Sequence, residues 1–404
     1  MLCAAFVLTI AFGFFTKKAE RGLSIIVFSV FVSVFAYIIA PDNTEDADLE
    51  ILEIATRKPG FKIQVIKEKL DIAYTPKNIF SRLFNGIKPE DKYYPVLGYE
   101  ISGSDVILHQ YTGANRLPLD VKKSMIEMLF DQSVSKPEII DNGSSLHFYD
   151  FNNKPVSIDK NQLTKSFEKN CVSTNRYLLG TDKYGRDVLS RLIIGIRVSL
   201  LVGLISVGIS LIIGILLGAL AGYFRGWVDD VIMWVINVFW SVPTFLLALA
   251  LFVGLADLIE NKLVLIFIAV GLTMWVSMAR IVRGQFLSLR EKEFVEASRA
   301  LGYSHTRTIF KHILPNIMGP VIVIVCANFA NAILVEAGLS FIGLGVQPPT
   351  PSWGGILNEH RDFLDGSKAF LTLFPALCIM LLVLAFNLLG NGLRDALDVR
   401  GRIG

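Results

Sequence analysis

The amino-acid sequence predicts an all-α polytopic membrane protein of six transmembrane helices with an inserted extracytoplasmic α+β domain, and three observations predict it. Hydrophobic residues make up 52% of the 404 positions and charged residues only 19%, a balance too apolar for a soluble chain of this length. Six long runs contain no Asp, Glu, Lys or Arg. Between the first and second of these runs lies a long interval of different texture.

A bilayer core about 30 Å thick requires about 20 apolar residues in a helix. The runs that approach or exceed this are Leu23 to Ala40, Val198 to Gly222, Val231 to Ala256, Leu263 to Ala279, Ile313 to Val335 and Ala369 to Leu393. Residues 23–40 are therefore the first transmembrane helix and residues 178–404 a core of five more. From Pro41 to Arg197, by contrast, the chain mixes charges, turn dipeptides such as Asn85-Gly86 and Asn142-Gly143, and short alternating stretches. Phe61, Ile63 and Val65 alternate as in a strand, and Asp120 precedes Val121, Met125, Met128 and Leu129 at helical spacing. Residues 41–177 read as a small α+β domain inserted after the first helix.

Residues 1–22 form a cytoplasmic or interfacial segment. Its uncharged run Leu2 to Phe15 is open to three readings: a signal-peptide core, an interfacial helix, or part of a bent first span. A cleaved signal is disfavoured because Lys17, Lys18 and Arg21 follow the run instead of preceding it.

Short-loop Lys and Arg residues are retained on the cytoplasmic side of a membrane. Lys17, Lys18 and Arg21 precede the first span, and Arg225 lies between the second and third. Arg280, Arg283, Arg290, Lys292, Arg299, Arg307 and Lys311 follow the fourth, and Arg394, Arg400 and Arg402 the last. The other short loops hold only Lys262, Arg361 and Lys368. Both termini are thus expected in the cytoplasm and the inserted domain outside. The formal net charge of +3 gives no reason to expect nucleic acid. Cys3, Cys171, Cys326 and Cys378 are widely separated, with no metal-ligand spacing.

The cytoplasmic loop 284–315 is the most informative stretch. From Glu291 to Pro315 it reads as two short helices, with Gly302 placed to end the first at positive φ and Ser304 to cap the second. Phe294, Ala297, Ser298 and Leu301 share a face, and Glu293, Glu296 and Arg299 supply a charged rim. Such an amphipathic elbow suits insertion into a groove on another protein.

At these residues the chain resembles the permease family of ATP-binding-cassette importers, whose EAA loop couples ATP hydrolysis to the transmembrane pathway. The pattern is Glu-Ala-Ala, three residues, Gly, nine residues, then Ile-x-Leu-Pro. Glu296, Ala297, Ser298, Gly302, Leu314 and Pro315 fall on it, with Ser298 replacing the second Ala and His312 the Ile. The His-Ile-Leu-Pro ending is similar to the dipeptide and oligopeptide branch. Residues 179–192, Leu-Gly-Thr-Asp-Lys-Tyr-Gly-Arg-Asp-Val-Leu-Ser-Arg-Leu, and the stretch from Glu336 to Gly354 resemble the second of that branch's two permease subunits. The resemblance covers the first span and residues 178–404 but not most of the insert.

It implies the ABC importer type I permease fold and ATPase coupling through those six residues. The implied partners are a second permease subunit, two ATP-binding subunits, a periplasmic substrate-binding protein and a peptide substrate, in the bacterial inner membrane. No phosphate-binding loop, HExxH or GxSxG occurs. The chain is therefore expected to have no catalytic residues, no metal and no cofactor of its own, with ATP and Mg on the partners. A membrane-anchored receptor or scaffold whose external domain binds a ligand is the alternative from another class, and nickel chelates or other small solutes are the alternative cargo.

Several polar or small residues within the spans also bear on function. Asn328 and Asn331 share a face of the fifth span and lie roughly 18–22 Å deep at 1.5 Å per residue, so they join helices or line the translocation pathway. Glu336 falls near the outer interface by the same count. Gly214, Gly218 and Gly222 recur every four residues, as close helix packing requires, and Pro243 kinks the third span. Val188, Leu189, Leu192, Ile193 and Ile196 make the face of an interfacial helix, with Ser190, Arg191 and Arg197 elsewhere. Asp182, Arg186 and Asp187 read as turn and cap residues.

Overall fold

A computed structural model describes residues 17–69, 78–89, 91–113, 116–129, 140–141, 145–149, 155–364 and 366–397. Cys3, the Leu2 to Phe15 run, the Asn142-Gly143 turn and Arg400 and Arg402 lie outside them. The chain divides into two units, one of Met1–Val34, Gly195–Leu364 and Thr372–Gly404, the other of Phe35–Ile194 and Asp365–Leu371.

In chain order the helices are α1 (Lys17–Val34), α2 (Ala36–Ile39), α3 (Ile79–Asn85), α4 (Met125–Leu129), α5 (Lys160–Asn170), α6 (Val188–Phe224), α7 (Gly226–Trp240), α8 (Thr244–Leu255) and α9 (Lys262–Leu289). They continue with α10 (Glu293–Ala300), α11 (His305–Arg307), α12 (Met318–Phe341), α13 (Trp353–Glu359) and α14 (Phe370–Leu397).

The second unit is built on an antiparallel five-stranded sheet of order β4-β3-β2-β1-β8, comprising β1 (Phe61–Lys69), β2 (Asp91–Ser102), β3 (Asp105–Gln110), β4 (Leu119–Ser124) and β8 (Val172–Tyr177). A smaller sheet holds β5 (Ile140–Asp141), β6 (Ser145–Tyr149) and β7 (Pro155–Asp159). Alternation along β1 sends Ile63 and Val65 to one face, buried with Ile51, Ile54 and Tyr177. It sends Ile66 to the other face, buried with Met125, Leu163 and Phe167.

The helix expected to follow Asp120 is confined to Met125–Leu129, because Leu119–Ser124 pairs with β3 in register Leu108↔Val121 and His109↔Asp120. Asp120 is a cross-strand partner, with Oδ1 2.6 Å from His109 Nδ1. That hydrogen bond raises the His109 pKa above its ordinary 6.5, against a smaller desolvation effect, with the charges of Asp120 and Glu100 adding to the rise. Since the folded pKa is the higher one, the contact contributes fully below the ordinary value and is lost as pH climbs through the raised value. An NMR titration of the His109 ring should give a lower midpoint in Asp120→Asn.

This unit reaches beyond residues 41–177 at both ends. Arg186 Nε donates to Asp182 Oδ2 at 2.6 Å and its Nη1 to Asp48 Oδ1 at 2.9 Å, so the 178–191 stretch is knitted to the 42–56 stretch.

In the first unit α6, α9, α14 and the continuous helical run His305–Phe341 are long and apolar enough to cross a membrane, and α7 with α8 qualifies only as a pair bent by 92°. Among the described residues this gives four candidate spans, or up to five, where six transmembrane helices, the third kinked at Pro243, were expected. The third expected span is a broken one: Pro243 has no N–H, disfavours helical φ/ψ at Val242, and starts α8 as its cap. The first expected span begins within α1, whose first turns carry Lys17, Lys18, Glu20 and Arg21, and the helix is interrupted at Phe35.

The Gly214/Gly218/Gly222 row lies against α9. A Cβ on Gly218 would stand 2.5 Å from the Ala279 carbonyl oxygen, and on Gly214 and Gly222 2.5 Å from Met278 Cβ and Phe286 Cβ. Gly218→Leu should therefore push the two helices apart and lower the melting temperature of the purified chain, because backbone, unlike a side-chain tip, cannot rotate away.

Candidate functional site

The elbow between α9 and α12 is assembled by short-range chemistry. Its first arm, α10, ends where Gly302 adopts φ +75°. The Tyr303 N–H donates to Ser298 O at 3.1 Å and the Gly302 N–H to Arg299 O at 2.9 Å, the paired bonds of a Schellman stop. Ser304 then caps the second arm, its Oγ accepting from the Arg307 N–H at 3.4 Å. The second arm is not a separate short helix. α11 passes through a π turn (Thr308–Ile313) and a 3-10 turn (Leu314–Ile317) into α12, giving one 37-residue helical run. Pro315 breaks the regular ladder there, and Asn316 Nδ2 donates to His312 O at 2.6 Å.

The face expected to hold Phe294, Ala297, Ser298 and Leu301 together is split. Ser298 is buried, with Oγ donating to Val295 O at 2.7 Å and standing 3.4 Å from Thr308 Oγ1, so it ties the two arms together. Val295 is buried with Phe286, Ile309, Ile313 and Ile317, and Leu314 packs on the same cluster. Glu296, Ala297, Gly302 and Pro315 are exposed, as are Phe294 (41%), Leu301 (70%) and Phe310 (47%).

Sequence reasoning passed over the collar beneath this elbow. Tyr223 at the end of α6 hydrogen-bonds His305 Nδ1 at 2.9 Å, carries the Arg299 guanidinium over its ring at 5.1 Å, and receives Arg290 Nη1 on its carbonyl at 2.6 Å. Arg225 pairs with Glu291 at 2.6 Å. The alternating basic and aromatic residues flanking 291–307 were the available signal, but Tyr223 is 82 residues from His305.

Asn328 and Asn331 do not act together. Asn328 is buried on α12, with Nδ2 donating to Ser210 Oγ of α6 at 3.3 Å and Oδ1 accepting from Ser277 Oγ of α9 at 3.3 Å. It joins three helices, whereas Asn331 is exposed. Glu336 is not bathed by an interface: it is 1% exposed, and Ser340 Oγ donates to its Oε1 at 2.7 Å.

Asp182, Arg186 and Asp187 are turn and cap residues, but deeply buried ones. Asp182 Oδ1 accepts from the Tyr184 and Arg186 N–H groups at 2.8 and 2.9 Å, and Asp187 Oδ2 from the Ser190 N–H at 2.9 Å. The expected interfacial helix is the start of the long α6, and Ser190 and Arg191 on it are buried, not turned to water. Arg197 caps α1, donating to the carbonyls of Ser33 and Val34 at 2.6 and 3.1 Å. Cys171, Cys326 and Cys378 are free thiols.

Residues 214–403 match the family model described as binding-protein-dependent transport system inner membrane component. Over 219 residues, 54% of this chain and 70% of the relative, the sequence is 43% identical to the dipeptide transport system permease protein DppC of Alkalihalophilus pseudofirmus. It is 40% identical over 225 residues, 56% of this chain and 73% of the relative, to the glutathione transport system permease protein GsiD of Pectobacterium atrosepticum. Among solved structures, the MetNI methionine ABC transporter in an inward-facing conformation aligns with a TM-score of 0.45 and 17% identity, over 52% of this chain and 97% of that one.

Proposed function

Because this chain belongs to the family of binding-protein-dependent transport system inner membrane components, as a permease of the dipeptide/oligopeptide branch, we propose that it forms half of a peptide pathway through the bacterial inner membrane. A second permease subunit completes the pathway, an external binding protein delivers the peptide, and two ATP-binding subunits seat on the elbow and hold the ATP and Mg.

The observation that carries this reading is the construction of the elbow. Phe294, Leu301 and Phe310 are left exposed on a scaffold whose inner side is fixed by Val295, Ser298 and Thr308. Apolar anchors with a charged rim are what a docking helix presents to a groove. Closure of the ATPase pair would draw Glu296, Ala297 and Gly302 inward. The motion would enter the membrane directly, because the second arm and α12 are one helical run. Leu314 and Pro315 lie at the turn where that run changes pitch, and Asn328 links its middle to α6 and α9. Asn331, exposed on the same helix, is the better candidate to face the pathway or the second permease.

In this reading both termini are cytoplasmic, α1 with α2 forms the first of six spans, the bent α7/α8 pair the third, and the mixed α/β unit faces outward. The test is to tag the chain, solubilise membranes gently and identify co-purifying proteins by mass spectrometry. A second permease and ATP-binding subunits are the expected companions. A folded chain that brings neither would favour an anchored receptor or scaffold, for which the mixed α/β unit would be the sensing part.

A further inference from the structure

The open face of α9 is polar, although the helix is long and apolar enough to cross a membrane. Over its second half the exposed residues are Ser277, Gly284 and Ser288. At 3.6 residues per turn they share one face, with the half-buried Arg280 at its edge. On α6, by contrast, every exposed residue from 195 to 224 is Leu, Ile or Phe. A face like that of α6 suits lipid. Hydroxyls and a guanidinium suit water, because lipid tails offer polar groups no partner. Polar contacts continue onto α12, where Asn328 Oδ1 accepts from Ser277 Oγ at 3.3 Å and Asn331, one turn further along, is exposed.

The guanidinium at the edge of this face carries an unbalanced charge. One turn further on, Arg283 is neutralised, its Nε and Nη2 donating to the two carboxylate oxygens of Asp229 at 2.5 and 2.6 Å. Among the described residues Arg280 has no carboxylate partner, and its Nη1 is buried without a hydrogen bond. Its guanidinium lies 3.5 Å from the centre of the Trp240 ring. A ring face positions a cation without cancelling its charge. Trp240 ends α7 beside the 241–243 break. The side chain is thus held there, and not drawn out to water at the end of α9, about 14 Å further along.

We propose that the Ser277–Gly284 face of α9 lines a water-filled pathway and that Arg280 is its charge filter, an unpaired guanidinium that favours the passage of anionic groups and opposes cationic ones. The cargo it filters rests on the transport reading, whereas the aqueous face and the sign of its charge are properties of this chain alone.

The test places Ser277→Cys and Gly284→Cys in the full chain, in broken native membranes whose two faces both meet the reagent. A Gly284 Cβ would have no atom within 4 Å, and serine to cysteine is nearly isosteric. Two membrane-impermeant methanethiosulfonates are compared, one ending in sulfonate and one in trimethylammonium, with the unsubstituted chain as background. Both cysteines should react. After normalisation to the rates with a free thiol, the sulfonate should be favoured about tenfold, the effect of reversing a unit charge roughly 6 Å from a cation in water. Arg280→Gln should abolish this preference and Arg280→Lys keep it, while Leu216→Cys on α6 stays unreactive. In cells making the intact transporter, Arg280→Gln should lower uptake of alanyl-glutamate relative to alanyl-lysine about tenfold against the native ratio, a comparison in which any preference of the binding protein cancels. Unreactive cysteines at both positions would overturn the pathway face. Equal normalised rates, a preference that survives Arg280→Gln, or an uptake ratio that it does not move would overturn the filter. Failure of the transport reading would show separately, as a folded chain that brings no second permease or ATP-binding subunits.

Discussion

Replacing Gly302 with Pro is expected to strip the ATP-binding subunits from an otherwise intact membrane chain and to reduce peptide uptake at least about tenfold, the scale of a 1.4 kcal/mol loss in docking. Gly302 holds φ +75°, which proline, fixed near −65°, does not reach. Proline also removes the N–H that bonds Arg299 O. The angle between the two arms would be reset and Phe294 and Leu301 displaced from Phe310. The damage should stay local, since no atom lies within 4 Å of where a Gly302 Cβ would stand. Gly302→Ala keeps the N–H and carries only the left-handed backbone cost, roughly 1–2 kcal/mol, so it should fall between native and Pro. Co-purification of the ATP-binding subunits, read beside retention of the second permease, separates lost docking from lost folding. ATPases retained at native levels on the Pro variant would remove the elbow from the coupling path.

The second large effect is on stability. Arg186 and Asp182 are each 1% exposed, and their 2.6 Å ion pair is continued to Asp48. Arg186→Met keeps comparable bulk but takes away the 2.6 Å charged hydrogen bond and leaves Asp182 only the longer Arg191 contact at 3.9 Å, so the loss should fall at or below the lower end of the roughly 3–5 kcal/mol that breaking a buried pair costs. Thermal or denaturant unfolding of the purified chain should show that loss. Asp182→Asn on the same background should recover part of it, because the amide oxygen still accepts from the Tyr184 and Arg186 N–H groups without bringing a charge. A variant as stable as the native chain would mean that water reaches Asp182 in solution.

Features set by backbone and nearest-neighbour chemistry were legible in the sequence. The long apolar runs follow from what a bilayer demands of a helix. The stop at Gly302 and the cap at Ser304 need only a positive φ and a hydroxyl at the right offset. The four-residue glycine spacing on α6 can serve close approach wherever the partner lies, although the partner itself, α9, was not visible. The 241–243 break was foreseen as a kink at Pro243, but its 92° angle depends on what packs on either side.

The tertiary structure alone decided which polar residues go inside. Helical spacing put Ser190, Arg191 and Arg197 off the apolar face of an interfacial helix and Asn328 and Asn331 on one face of the fifth span. Folding buries Ser190 and Arg191, turns Arg197 onto the end of α1, and separates the two asparagines. Residues 119–124 became a strand because β3 offers them a ladder, overriding a local helical pattern. The physical reason is common to these cases. The sequence by itself determined the membrane class, the branch of the permease family and the Gly302 stop and Ser304 cap of the elbow, because those depend on residues a few positions apart. The destination of a charge or an amide depends on partners such as Asp48, 138 residues from Arg186, and Ser210, 118 from Asn328, which only the folded chain brings within hydrogen-bonding reach.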